Sequence, residues 1–344
     1  MNQLQLLKAF VKNNLRGGPL SVGWILCGDE TIGSSRIQGI NLHKGLIDSG
    51  INSFLLSTPN SFVERLEMNR IEKTLLVNGN FDIVIFQRVY GKNAVNLCSK
   101  LRRKRTLCGF YMADIYANDM LYEVDFIIVS SEYLRQHIIS AGINPEKVFF
   151  LPDAVETEPF FKKDYSGLEQ IKNSKIKVVL VGNAGHWPAM DHMKELFNNN
   201  PDLENMELIV ISNHPEADIQ WQLNRVWNDI ISCDIGLVPV DFNNPRSLAK
   251  SNNRVTMFMG MAMPVICSPI HSYVNLIKHG KNGFLATMDS QWVNHLHELK
   301  EPSLRKSIGE TSYHYAHSEF SRKNITSQLI AIFEKMRDVK SYSN

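Results

Sequence analysis

The sequence predicts an α/β protein built from two successive Rossmann-like, doubly wound domains facing a central cleft. Three observations point there. Short apolar runs alternate with helix-length amphipathic segments along the chain, the pattern of parallel sheets covered by helices. At 344 residues the chain is too long for one ordinary core and comfortable for two, at roughly 150 residues per domain. The pattern also restarts, because a polar, Lys-rich stretch from Lys162 to Lys175 is followed by a fresh β-branched run, Ile176–Val181. The expected division is a first Rossmann-like domain over residues 1–165, a second over 166–322, and a helix over 323–344 returning to the first domain.

In the first half, Ser21–Cys27 reads as a buried strand ending at Gly28-Asp29-Glu30. Arg36–Ser49 then carries Ile37, Ile40, Leu42, Leu46 and Ile47 on one broad helical face, with Gly50 as its stop. Strands are expected at Ser53–Leu56, Phe81–Phe86, Thr106–Tyr111, Val124–Val129 and Lys147–Leu151. Helices fit at Ala94–Leu101 and Glu132–Ala141, the second capped from Ser130-Ser131. In the second half, strands at Ile176–Val181, Met206–Ser212, Cys233–Val238 and Pro264–Cys267 alternate with helices at Ala189–Phe197, Gln222–Ile231 and Asn253–Met261. From Gly283 on the chain reads as mostly helical, ending in the apolar-periodic run Ile325–Met336.

Composition narrows the function classes. Hydrophobic residues at 44% and charged residues at 21% exclude a wholly disordered chain. Thirty-seven Lys and Arg against 35 Asp and Glu leave a formal charge of +2, so no global field recruits nucleic acid. No run of ~18 apolar residues reads as a spanning helix, and residues 1–18 lack the pattern of a signal peptide. Five cysteines are scattered without a CxxC pair, which suits a reducing cytosol better than a disulfide framework or a zinc site.

In doubly wound sheets ligands bind outside the carboxyl ends of the strands, so chemistry is sought in the post-strand loops. Four constellations stand out. After the first strand, Gly33, Ser34, Ser35 and Arg36 suit a phosphate or a sugar hydroxyl at a helix start, or else form a glycine turn with Ser34 or Ser35 as N-cap. GxGxxG is absent there. Gln87 and Arg88 follow the next clear strand, and Asp114 follows the one ending at Tyr111. Asp114 would deprotonate or orient an acceptor hydroxyl, or simply cap its turn. Gly182, Asn183 and His186, beside Trp187, open the second domain where a nucleotide would approach; surface decoration is the plainer reading of the histidine. Lys250-Ser251-Asn252-Asn253-Arg254 begins the helix of residues 253–261. Cations oppose the dipole at a helix N-terminus unless an anion is present, so a diphosphate is the natural guest of Lys250 and Arg254, flanked by Ser251 and Asn253.

Taken in order, these blocks resemble the GT-B glycosyltransferases of family four, the retaining type found in bacterial surface-polysaccharide assembly. The resemblance covers roughly residues 20 to 335. It rests on Ser34 through Gly39, Phe81 through Arg88, Val124 through Ser131, Leu151 through Glu156, Lys250 through Arg254, Pro264-Val265-Ile266 and Gly280 through Leu285. It implies a cytoplasmic, metal-independent glycosyltransferase that uses no cofactor. Its donor would be a nucleoside diphosphate sugar and its acceptor a glycan or lipid-linked sugar.

Two departures bear on the chemistry. The family's Glu-x7-Glu pair would fall on Ala249 and Met257, and its post-strand Arg and Lys would lie within the loop 183–189, which has neither. The diphosphate charge then falls to Lys250 and Arg254. A nucleotide-sugar epimerase of the same fold and a catalytically degenerate sugar-nucleotide-binding protein are the rival readings. Peripheral contact with the inner face of the plasma membrane is suggested by Lys100 with Arg102-Arg103-Lys104-Arg105, and by Leu4, Leu7, Phe10, Val11 and Leu15 interleaved with Lys8, Lys12 and Arg16. A solvated helix end and a packed helix are the plainer alternatives.

Overall fold

The computed structural model describes residues 20–66, 76, 79–116, 119–156, 161–166 and 175–342. Their contacts divide into two compact units, one running up to Ala154 and resuming at Arg322, the other spanning Val155–Ser321. Each is a six-stranded, wholly parallel sheet with helices, so the predicted α/β class with two doubly wound sheets holds.

The first unit comprises β1 (Ser21–Leu26), helix α1, β2 (Asn52–Ser57), β3 (Ile83–Gln87), α2 (Lys92–Arg103), β4 (Leu107–Met112), α3 (Met120–Glu123), β5 (Phe126–Val129), α4 (Glu132–Ser140) and β6 (Val148–Phe150). Strand order is β2-β1-β3-β4-β5-β6. Its central strands β1, β3, β4 and β5 are buried at every residue, which is why they read as unbroken apolar runs rather than alternating ones. In register, Val22 faces Ile83 and Ile83 faces Leu107.

Helix α1 departs from expectation at its start. It consists of a first turn Gly33–Ser35, a π-helical stretch Arg36–Ile40 and a regular stretch Asn41–Asp48. Neither Ser34 nor Ser35 is the N-cap. Ile32 holds that position with no side-chain bond, because Ser35 is buried with its hydroxyl turned toward Cys27 Sγ at 3.3 Å. The expected stop and cap do appear: Gly50 is left-handed at φ +79, and Ser131 Oγ accepts from the Leu134 amide at 3.2 Å.

The second unit comprises β7 (Ile176–Val181), α5 (Trp187–Asn199), β8 (Met206–Ser212), β9 (Ile219–Gln220), α6 (Val226–Ile231), β10 (Ile235–Val238), α7 (Pro245–Leu248), α8 (Asn253–Gly260), β11 (Val265–Cys267), α9 (His271–Val274), β12 (Phe284–Leu285), α10 (Asp289–Glu298) and α11 (Pro302–Glu319). Its order is β12-β11-β10-β7-β8-β9. The edge strands β9 and β12 were not expected, since two residues each carry no periodicity.

The division falls at Ala154/Val155 rather than at residue 165, and the reason is hydrogen bonding. The Val155 amide donates to Phe320 O, the Lys163 amide to Met261 O, and Tyr165 Oη to Ala262 O at 2.6 Å. Lys163 Nζ, in the polar Lys-rich stretch, meets Asp234 at 3.0 Å and the Cys233 carbonyl at 2.7 Å.

The last helix, α12 (Arg322–Tyr342), belongs to the first unit. Ile325, Leu329 and Phe333 are buried, Phe333 edge-on to Phe126 with ring centroids 6.1 Å apart. A methyl at Gly45 would collide with Thr326, so the glycine lets α1 and α12 approach closely. Phe333→Ala should cost about 3–5 kcal/mol of stability, the usual range for a buried aromatic truncated to alanine. Chemical denaturation monitored at the first unit measures it, and a loss under 1 kcal/mol would show that the helix contributes little.

Candidate functional site

Sheet topology fixes where ligands can enter. From β7 the chain leaves toward β8 on one side, and from β10 toward β11 on the other, so the loops after these neighbouring strands part. In the first unit the same divergence lies between β1, which leads to β2, and β3, which leads to β4. Every sequence-predicted site residue sits at the strand C-terminal edge of its own unit.

In the second unit the structure gathers His186, Lys250 and Arg254. His186 ends a 3₁₀ turn after β7, Lys250 lies in the loop before α8, and Arg254 is in its first turn. Their charges converge on the imidazole: Arg254 foremost, then burial, then Lys250, push the His186 pKa down to about 2. The guanidinium does not have its donors satisfied. Arg254 Nη2, Asn253 Nδ2 and Tyr273 Oη are buried polar atoms with no hydrogen-bond partner. Arg254 and Tyr273 lie close enough for the Arg254 charge to act on the phenol. Helix α8 has no side-chain N-cap bond from Asn252, and its Asn253 amide reaches Ser251 Oγ only at 3.5 Å. Buried, unsatisfied donors beside positive charge at a helix N-terminus form a receptacle for an anion.

The remaining donor-side residues play supporting parts. Gly182 lies against the end of the Met190 side chain, which a Cβ there would have to displace. Asn183 Oδ1 accepts from the Gly185 amide at 3.0 Å and so shapes the turn that carries His186. Ser251 Oγ lies 3.5 Å from the Asn253 amide. Trp187 stacks on His214 with centroids 3.8 Å apart. Ala249 and Met257, where the resemblance puts carboxylates, are buried apolar residues.

In the first unit the predicted loop does not form a phosphate cradle. Ser34 and Ser35 turn inward, to 3.6 and 3.3 Å from Cys27 Sγ. Arg36 Nη1 folds back onto Glu30 O at 2.8 Å, leaving only Gly33 open. Gln87 is wholly buried, its Oε1 accepting from the Cys27 amide and Ser35 Oγ at 3.4 Å each. Arg88 is held at φ +58, a left-handed conformation that costs a non-glycine residue about 1–3 kcal/mol. Its Nη2 donates to Glu64 Oε1 at 2.8 Å. Asp114 Oδ1 accepts from the following amide, Ile115 N, at 2.9 Å, the bond of a local turn.

Sequence reasoning missed Tyr273, Glu64 and Phe62. Tyr273 follows a strand and was findable by the rule applied to the other loops; Glu64 and Phe62 lie in a stretch without periodicity. Membrane signals resolve only in part. The basic run 102–105 is exposed at the end of α2, where the chain enters β4, and so lies at the opposite sheet edge from Arg88 and Asp114. Arg102 there pairs with Asp125 at 3.2 Å. The amphipathic run 4–16 lies outside the described residues. Among the described residues no helix is long and apolar enough to cross a membrane, and no three His, Cys, Asp or Glu side chains gather as a metal would require.

The His186 pKa has a definite acid signature. The unfolded chain protonates this imidazole near 6.5, the folded one only near 2, so below pH 6.5 the unfolded state binds the extra proton and stability falls with pH. Arg254→Ala removes the largest cause and should raise the His186 pKa toward its ordinary value. Imidazole resonances followed by NMR titration check this, and an unmoved His186 would separate the two residues.

No family model matches the chain, and no curated protein matches it. Solved structures do. HepE from Anabaena, in complex with UDP and glucose, is 13% identical, with 92% of this chain and 99% of that one covered at a TM-score of 0.66. Sucrose-phosphate synthase from Thermosynechococcus elongatus is 11% identical, with 93% and 100% covered at 0.65. A glycosyltransferase from Rickettsia africae is 14% identical, with 93% and 99% covered at 0.63. At such identities the likeness is one of fold, and the fold is GT-B.

Proposed function

We propose that this protein is a glycosyltransferase that moves a sugar from a nucleoside diphosphate sugar to a glycan or lipid-linked acceptor, in the manner of bacterial surface-polysaccharide enzymes. One observation carries the donor half: Arg254 Nη2, buried and without a partner, beside Lys250 and a neutral His186 at the start of α8. A diphosphate there would satisfy the orphaned donors, relieve the repulsion among three basic groups and complement the helix dipole. When the sugar–phosphate bond breaks, negative charge grows on the departing diphosphate. Lys250, Arg254 and the positive end of the α8 dipole are fixed in advance to stabilise that charge, the arrangement that lowers a barrier most economically. These cations supply the charge that a divalent ion would otherwise bring, so the reaction is proposed to run without a metal and without a cofactor.

Neutral His186 contributes a hydrogen bond rather than a charge until the anion arrives. An arriving anion favours imidazolium, so donor binding should be tighter at lower pH. Asp114 remains the acceptor-side candidate, orienting the hydroxyl that attacks or taking its proton. Its bond to Ile115 N favours a turn role equally. The apolar Ala249 and Met257 favour a second reading, a sugar-nucleotide-binding protein without transfer. Donor turnover with no acceptor present would point instead to an epimerase.

Lys250→Ala and Arg254→Ala should each weaken nucleotide binding by about 1–3 kcal/mol, with melting temperature nearly unchanged. Calorimetric titration of UDP, GDP, CMP and dTDP sugars measures this, and unaltered affinity in both variants would sink the assignment. Asp114→Asn should lower turnover by ~10²–10⁴ if the carboxylate handles the proton, leaving nucleotide affinity intact. A turn role alone gives near-normal turnover and a stability loss of about 1 kcal/mol.

A further inference from the structure

The segment around Glu64 runs along the divergence point of the first sheet. The Val63 amide donates to Cys27 O at the end of β1, the Tyr90 amide donates to Glu64 O beyond β3, and Arg65 forms a bridge with Tyr90. Three backbone ties therefore hold Glu64 against the residue most strained in this loop, Arg88. The two side chains meet at 2.8 Å while keeping 24% and 18% of their surfaces open, and Tyr90 Oη donates to the other carboxylate oxygen at 3.2 Å. The Arg88 guanidinium lies between two aromatic rings, 5.0 Å from the centroid of Phe62 and 5.8 Å from that of Tyr116. Phe62 is 47% exposed, the most open large aromatic at this edge among the described residues. Arg88 Nε and Tyr116 Oη are buried without partners beside it.

We propose that Phe62, Glu64 and Arg88 form the subsite for a neutral pyranose ring of the acceptor, a reading that rests on the proposed glycosyltransfer. The charge arithmetic selects the ligand class. Glu64 pairs directly with Arg88, Arg65 is turned onto the Tyr90 ring at 4.6 Å from its centroid, and a phosphate approaching the Arg88 guanidinium would meet the Glu64 carboxylate as well. A sugar ring carries no charge, and its adjacent hydroxyls each donate and accept. A fixed pair offering N–H donors beside carboxylate lone pairs matches two such hydroxyls at once. The C–H face of the same ring is apolar and can lie on the exposed part of Phe62, whose ring also meets the Arg88 guanidinium. Holding Arg88 in a left-handed conformation keeps the guanidinium aimed at Glu64 before any ligand arrives, the kind of local strain that accompanies preorganised sites.

The test uses the full chain and saturation-transfer NMR with neutral methyl glycosides (gluco, galacto, manno and 2-acetamido-gluco), each with and without UDP. Glucose 6-phosphate and inorganic phosphate are the charged comparators. At least one neutral glycoside should bind, with contacts to a phenylalanine ring. Phe62→Ala and Glu64→Gln should each weaken it about tenfold or more, a factor typical of one lost charge-assisted bond or its equivalent. Phe62 is half exposed, so its truncation leaves no cavity, and an unchanged melting temperature certifies both variants. Absence of glycoside binding in both conditions, preference for the phosphorylated ligands, or unchanged affinity in both folded variants would overturn the subsite. A missing UDP melting shift would instead strike the donor assignment, while the UDP-free glycoside titrations still decide this one.

Discussion

The whole arrangement depends on a conflict of charge at the first turn of α8. A helix N-terminus already presents unpaired amides and a positive dipole end, yet this one adds Arg254 and sits beside Lys250 and His186. Among the described residues no carboxylate pairs with Arg254, and one of its nitrogens is buried unsatisfied. Such a cluster opposes folding on its own account, because each group raises the cost of charging the others. His186 yields first and stays neutral. The buried, unsatisfied Arg254 nitrogen is the feature on which the proposed anion site rests.

Sheet topology explains why the conflict can be held in place. Strand β7 pairs in parallel with β8 and β10 and is buried at residues 178–180, so the loops leaving it are anchored by strands that cannot shift register without exposing the core. Gly182 presses against Met190, and Asn183 closes the turn, fixing the direction in which His186 leaves the sheet. On the other side, β10 and β11 pin the helix that presents Arg254. The energy of packing two apolar faces thus supports a polar arrangement that would not form alone.

This division of labour also accounts for what could be read in the sequence. Residues 83–86 and 178–180 are legible because positions buried on both faces of a sheet must be apolar in succession, whereas Lys177 in the second strand is exposed. Lys250 and Arg254 are legible because cations at a helix start contradict a local rule. The inward turn of Ser34 and Ser35 was not legible. It follows from a π-helical stretch that rotates the helix relative to a regular one, and from Cys27 and Gln87, which are distant in sequence. The Glu64–Arg88 pair was hidden for the same reason, since it joins two loops 24 residues apart and neither has a periodic pattern. Local periodicity reports burial, whereas a partner across the sheet leaves no periodic trace.

The two units treat their charges in opposite ways, and that contrast is chemically informative. In the second unit Arg254 and Lys250 both act on His186, and among the described residues no carboxylate pairs with Arg254. In the first, Arg88 is matched by Glu64, and buried Asp153 accepts from Gln38 Nε2 at 3.1 Å. Orphaned atoms occur in both, but in the first they are the amide ends of Gln38 and Gln87, the Arg88 Nε and hydroxyls, set within locally compensated charge. Compensated charge with spare donors and acceptors suits a ligand that is polar and neutral; uncompensated positive charge suits one that is anionic. A nucleoside diphosphate sugar and a sugar acceptor differ in this respect, since only the donor must carry away two phosphates as the bond breaks. On the proposed reading, the distribution of charge between the sheets follows the distribution expected between donor and acceptor.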